Sequence, residues 1–165
     1  MVGHGGHHPA EAPKLYVMVG LPACGKTTYV RKYLCEALRV SLDDLRLMLT
    51  GRAYDRRHEP AVAAVGEAVL STVLAHARAW RTDLVFDATN VTRAVRRRSL
   101  RLAAAYDVVP VAIYLECPLE VALARNRRRP NPVPDEVIQR MHAQLEPPQK
   151  SEGFADVVVI VEFST

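Results

Sequence analysis

The sequence predicts an α/β fold with a parallel central sheet of about five strands, helices on both faces and an arginine-rich lid. Strand and helix signals alternate throughout the chain, which favours a parallel sheet covered on both sides. The strand signals are short apolar runs, read as buried from their length and composition. A glycine-rich turn, "GLPACGKTT", stands between the first strand signal and the first helix signal.

Taken in order, "KLYVMVG" is a buried strand ending in glycine. "KTTYVRKYLCEAL" reads as a helix with Val30, Tyr33, Leu34 and Ala37 inward, and "LRVSL" as a second short strand. From about Glu59 to Arg81, Val62, Val65, Val69, Val73 and Trp80 recur at helical spacing, with Leu70, Leu74 and Ala77 beside them. "DLVFDATN" is a strand ending in a polar turn, and "TRAVRRRSLRLAAAY" a helix heavily basic on one side. "VVPVAIYLEC" is a strand, followed by "PLEVALARNRRR", a helix opened by Pro118. "PNPVP" breaks the chain. "PDEVIQRMHAQL" restarts a helix with Pro134 near its first turn and acids beside it. "ADVVVIVEF" is a last buried strand. No internal repeat or linker divides the chain, so residues 14–165 are expected to form one domain after a flexible tail, residues 1–13.

The chain has 165 residues, 49% hydrophobic and 24% charged, which is enough for one cored domain and excludes wholesale disorder. A net charge of +4 is too mild to imply nucleic acid by itself. The basic residues are mostly arginine, which favours planar contacts to phosphate or carboxylate. Cys24, Cys35 and Cys117 are widely spaced and form no CxxC pair, which suits a reducing cytoplasm and neither a disulfide framework nor a zinc site. The N-terminal stretch lacks the apolar core of a signal peptide, and His4, His7 and His8 read as part of an incidental tail. No apolar run is expected to span a membrane.

"GLPACGKTT" fits G-x-x-x-x-G-K-[ST], with Gly20, Gly25, Lys26 and Thr27 in the fixed positions. Such a loop must wrap a phosphate closely, so its glycines relieve steric limits and its N–H groups and the following helix N-terminus supply positive potential. Gly20, Leu21, Pro22, Ala23, Cys24, Gly25, Lys26, Thr27 and Thr28 are therefore expected to bind ATP or another nucleoside triphosphate. Lys26 would reach the β- and γ-phosphates and Thr27 would ligate Mg²⁺. The fold class is accordingly a P-loop NTPase.

A P-loop alone does not make a kinase, because switches, motors and ligases share it. A kinase also needs a group that accepts a proton from, or orients, the attacking hydroxyl, at a strand end beside the phosphate loop. Asp43 and Asp44 follow the second strand signal, and either can fill that role. Ser41 or Asp43 can also N-cap the helix that follows. Arg46, one turn from Asp43, shares its face and would clamp an anionic acceptor. Asp87 ends an apolar strand, as an acid that holds Mg²⁺ directly or through water does. Arg125 and Arg129, four apart before a proline-rich break, would repel unless an anion lay between them, as under a lid closing on a triphosphate. Arg93, Arg96, Arg97 and Arg101 form a second cluster, either a solvated face or, at Arg97 and Arg101, a track for a nucleic-acid backbone.

With the P-loop, "DDLR", "DATN", "RNRRR" and "VPDEVIQRMH" in that order, the chain resembles the phage and bacterial polynucleotide 5′-hydroxyl kinases over roughly Tyr16 to Val161. The resemblance implies transfer of the γ-phosphate of ATP, with Mg²⁺, to the 5′-OH end of RNA or DNA. It implies that Asp43 is the general base, that Arg46 contacts the acceptor's 3′-phosphate, that Arg129 is the lid arginine with Arg125 beside it, and that Asp87 is the acid of the third core strand. Many such kinases are fused to a phosphatase or ligase domain. Here the chain stops after the kinase-like unit, which leaves room for a separate phosphatase or ligase partner. Aromatic residues are only 6%, so no base-stacking platform is evident. Two other readings stay open: a kinase of a small phosphorylated metabolite or of aminoacylated tRNA, and a non-catalytic nucleotide-binding module.

Overall fold

A computed structural model describes residues 12–161. Of the expected tail only residues 12 and 13 fall within it, and His4, His7 and His8 lie outside the described residues. The five expected strands are β1 (Lys14–Val19), β2 (Leu38–Ser41), β3 (Leu84–Asp87), β4 (Val109–Glu116) and β5 (Asp156–Val161). They form one sheet in the order β2-β3-β1-β4-β5, with every pairing parallel. The helices are α1 (Lys26–Tyr33), α2 (Leu42–Thr50), α3 (Glu59–Trp80), α4 (Arg93–Ala105), α5 (Leu119–Arg127) and α6 (Asp135–Gln144).

Alternate strand residues feed two cores, as period-two side chains must. Leu15, Val17, Leu84, Phe86 and Ala112 pack under α3 and α4 on one face. Met18, Val85 and Ile113 pack under α1 on the other, with Val30 and Cys24. A third cluster of Leu21, Ala122 and Ile138 ties α5 and α6 to the phosphate-loop end of the sheet.

Four expectations need correction. The first helix ends at Tyr33, not at Leu38, because the chain must turn through residues 34–37 to enter β2. Tyr33 is consequently exposed, while Val30 is buried and Leu34 and Ala37 pack only partly. The buried line of α3 is Val62, Gly66, Leu70, Leu74 and Ala77, with Trp80 outside and Val69 and Val73 only partly buried, so of the expected valine line only Val62 is fully in the core. α3 is also long and apolar enough to cross a membrane by length and composition, contrary to the sequence reading. It packs its leucines against β2 and β3 instead. Finally, β5 is an edge strand rather than a buried one, with Val159 and Val161 exposed.

α4 hides one of its arginines. Arg96 is fully buried and donates to Glu152 through Nε and Nη2, both at 2.8 Å, and to Asn90 O at 2.9 Å. Burial alone would raise the Glu152 carboxyl. The hydrogen bond and charge of Arg96, with the Gln149 N–H, outweigh burial and hold it below the usual range. The stabilisation is therefore present above the ordinary glutamate pKa and is lost as pH falls through the lowered value. Breaking the pair with Glu152→Ala should cost about 3–5 kcal/mol at pH 7, or roughly 6–20 °C in melting temperature for a chain of this size. Melts of the two proteins should converge as the pH drops below the carboxylate range.

Candidate active site

The carboxyl ends of the strands open on a cleft of about 410 Å³. The loop after β1 forms one wall. Gly20 has φ +144°, and a Cβ there would lie 2.7 Å from Leu115 O and 2.9 Å from Cys24 Sγ. Gly25 has φ +100° and starts α1. Both positions thus require glycine for geometric reasons. Pro22, Ala23, Gly25, Lys26, Thr27 and Thr28 line the cleft, whereas Leu21 and Cys24 are packed beneath the loop. Lys26 folds back over it, donating from Nζ to Gly20 O at 2.9 Å and Leu21 O at 2.6 Å.

Asp87 ends β3 beside the loop, and Thr27 Oγ1 donates to its Oδ2 at 2.9 Å. A hydroxyl and a carboxylate this close are hard oxygen donors of the kind Mg²⁺ takes, completed by nucleotide phosphates and water. Among the described residues no three His, Cys, Asp or Glu side chains cluster into a cage, and a nucleotide-borne Mg²⁺ needs none.

Opposite the loop stands α2. Ser41 N-caps it, its Oγ accepting from Asp44 N at 3.2 Å, so the capping role belongs to Ser41. β2 is not the neighbour of β1, since β3 lies between them. α2 leans on α3 at Gly66, where a Cβ would clash with Leu42 Cδ2. Asp43 and Arg46 both line the cleft. Asp44 is not among its lining residues and pairs with Arg39 Nη1 at 2.6 Å.

The sequence reading missed the partners of these groups. Arg46 donates to Asp43 Oδ1 at 2.6 Å and grips Glu59 with Nε at 2.7 Å and Nη2 at 2.9 Å. Burial pulls the Arg46 pKa down, but Glu59 and then Asp43 outweigh it, so the guanidinium stays charged above its ordinary value. Arg39 joins the two sides, its Nε donating to Asp87 Oδ2 at 2.8 Å while Nη1 holds Asp44. Its pKa is likewise lowered by burial and raised further by Asp87 and Asp44. An arginine inside the short strand "LRVS" was the available signal. Partners of a metal-binding carboxylate typically change metal affinity 10–100-fold. Arg39→Ala should therefore raise the Mg²⁺ concentration needed for half-maximal nucleotide binding by at least about tenfold, with metal-free nucleotide affinity unchanged. Tighter Mg²⁺ binding would instead make Arg39 a competitor of the cation.

The expected lid is the α5–α6 hairpin. α5 stops at Arg127, so Arg125 and Arg129 are not on one helix face, yet both line the cleft together with Arg128. Arg127 turns away to Asp135, 2.6 Å from Nη2. The fully buried Asn126 fixes the hairpin, donating from Nδ2 to Val133 O at 2.7 Å and accepting from Val133 N at 3.0 Å.

Residues 15–148 match the family model AAA_33, described as an AAA domain. The chain belongs to the AAA_33 family. This AAA_33 chain is 27% identical over 138 residues to L-seryl-tRNA(Sec) kinase of Methanococcus maripaludis, covering 81% of this chain and 53% of that one. It thus spans about half the length of that curated relative. Its fold matches a chain of the Pnkp1/Rnl/Hen1 RNA repair complex with TM-score 0.68 at 24% identity, covering 84% of this chain and 46% of that chain. A second structure of the Pnkp1/Rnl/Hen1 complex matches with TM-score 0.58 at 27% identity, covering 69% and 39%. The architecture is that of a P-loop kinase.

Proposed function

We propose that the chain is a cytoplasmic phosphotransferase that moves the γ-phosphate of ATP to the 5′-OH end of a polynucleotide. The observation that carries this reading is the meeting of Asp43 and Arg46 with Lys26, Thr27 and Asp87 in one cleft. Lys26 leaves its loop carbonyls to bind donor phosphates, and Thr27 and Asp87 would hold Mg²⁺, which would supply neutralisation of the donor phosphate charge. Asp43 accepts the proton of the attacking hydroxyl. Arg46 exchanges part of its Asp43 and Glu59 contacts for the acceptor's neighbouring phosphate, which frees Asp43 for its proton. Arg125, Arg128 and Arg129 close over the transferring group. The likeness to the Pnkp1/Rnl/Hen1 complexes supports this acceptor and the idea of a separate repair partner.

The L-seryl-tRNA(Sec) kinase relative favours a second reading, in which the acceptor hydroxyl belongs to an aminoacyl group on tRNA. The two separate in one assay, transfer of labelled γ-phosphate to a 5′-OH oligonucleotide, to its 5′-phosphorylated twin and to seryl-tRNA. Label on the 5′-OH strand alone is the expected result. Label on seryl-tRNA alone would replace the first reading with the second.

A further inference from the structure

A second concavity adjoins the cleft. A groove of about 310 Å³ lies between α3 and α4 and shares Leu42 with the cleft. Leu70, Phe86, Val95 and Leu102 give it an apolar lining, and Val95 is 48% exposed. Glu67 and Arg98 also line it, 3.4 Å apart and with side chains 44% and 61% exposed. A pair this open is weak, so Arg98 can turn to another anion at little cost.

α4 carries a basic stripe beside this groove. Its thirteen residues include Arg93, Arg96, Arg97, Arg98 and Arg101 and no acid. Arg97 and Arg101 are exposed, one turn apart, and have no acidic partner among the described residues. Other arginines of the helix engage three acids, Arg98 with Glu67, Arg93 with Glu146 and Arg96 with Glu152. Arg97 and Arg101 stand three residues beyond Ala94 and Arg98, which both line the groove, so the stripe borders it. It also starts near the cleft. Thr89 lines the cleft and Thr92 caps α4. Arg97 follows roughly 8 Å along the helix axis and Arg101 about 6 Å further. Unpartnered like charges at this spacing repel one another, and a polyanion relieves them.

We propose that this surface takes the acceptor beyond its reacting nucleotide: a nucleic-acid strand leaves the cleft over Leu42, lodges its next base in the α3–α4 groove and lays its following phosphates on Arg97 and Arg101. The inference rests on the polynucleotide reading and makes the acceptor a strand of several nucleotides rather than a nucleoside monophosphate. Arg98 exchanges Glu67 for a phosphate as the strand seats.

The test compares a 5′-OH 12-mer oligoribonucleotide with a nucleoside 3′-monophosphate, using wild type, the double variant Arg97→Glu/Arg101→Glu and the groove-filling Val95→Trp. All three altered side chains are exposed, and none touches the cleft. Each variant is expected to weaken 12-mer binding about tenfold or more, with ATP affinity and phosphorylation of the monophosphate unchanged. The double variant should also flatten the log–log salt dependence by about 1.4, from roughly 0.7 per single-strand phosphate contact. Wild-type phosphorylation of the 12-mer with equal affinity in all three proteins would overturn this inference and leave the polynucleotide reading standing. Failure of wild type to bind or phosphorylate the 12-mer would overturn both.

Discussion

Asp43→Asn is expected to lower turnover by about 10²–10⁴, the usual worth of a general base, while ATP affinity stays within about twofold of wild type. The substitution keeps shape and polarity while removing the capacity to take a proton and the charge that pairs with Arg46. It is also structurally mild, because the Asp43 side chain is 63% exposed and Arg46 keeps both of its bonds to Glu59. A stability loss therefore cannot imitate the effect, and melting temperature serves as the control. Single-turnover transfer with prebound ATP gives the cleanest measurement, since it isolates chemistry from product release. A fully active variant would remove Asp43 from the mechanism and pass the role to Asp44, which Arg39 links to Asp87. Arg46→Ala should separate from it by raising the acceptor KM far more than the ATP KM, since the proposed function gives Arg46 to the acceptor and Lys26 to the donor.

The geometry of the phosphate loop was legible in the sequence because it is local. Gly20, Gly25, Lys26 and Thr27 fall in one short stretch with positive φ at both glycines and Lys26 folded back on the loop, and a pattern eight residues long can encode it. The strands were legible for a similar reason, since a parallel sheet buries whole apolar runs. What escaped depends on contacts between distant segments. Glu59 meets Arg46 across thirteen residues, Arg39 meets Asp87 across forty-eight and Arg96 meets Glu152 across fifty-six. No local spacing carries such pairs. The same limit explains Arg96, which belongs to a run that reads as surface until the 3-10 turn Lys150–Glu152 brings a carboxylate over it. The edge position of β5 escaped because strand order, not composition, decides which apolar strand is half covered.

Arg129→Ala is expected to lower kcat by about 10²–10³, as the loss of one preorganised donor at a developing charge does, with a smaller change in ATP affinity. Arg125, Arg128 and Arg129 of the α5–α6 hairpin line the cleft, and their backbone settings differ. Arg125 projects from the last turn of α5, fixed by the helix. Arg128 and Arg129 follow it, held by N–H bonds to Arg125 O at 3.2 Å and Asn126 O at 3.0 Å, and the proline-rich break begins at the next residue. Arg129 therefore lies just past the end of α5 and before the proline-rich break, lining the cleft, with Asn126 locked to Val133. On the proposed reading of the hairpin as a lid, Arg129 would move with closure, while Arg125, fixed on α5, would bear on the nucleotide throughout. Arg129→Ala should accordingly act on kcat and Arg125→Ala mainly on the KM for ATP. Arg129→Lys should recover no more than about a tenth of the lost rate, because a point charge cannot reproduce the planar fork on two phosphate oxygens. Full rescue by lysine would reduce the role of Arg129 to general electrostatics and shift the specific contact to Arg128.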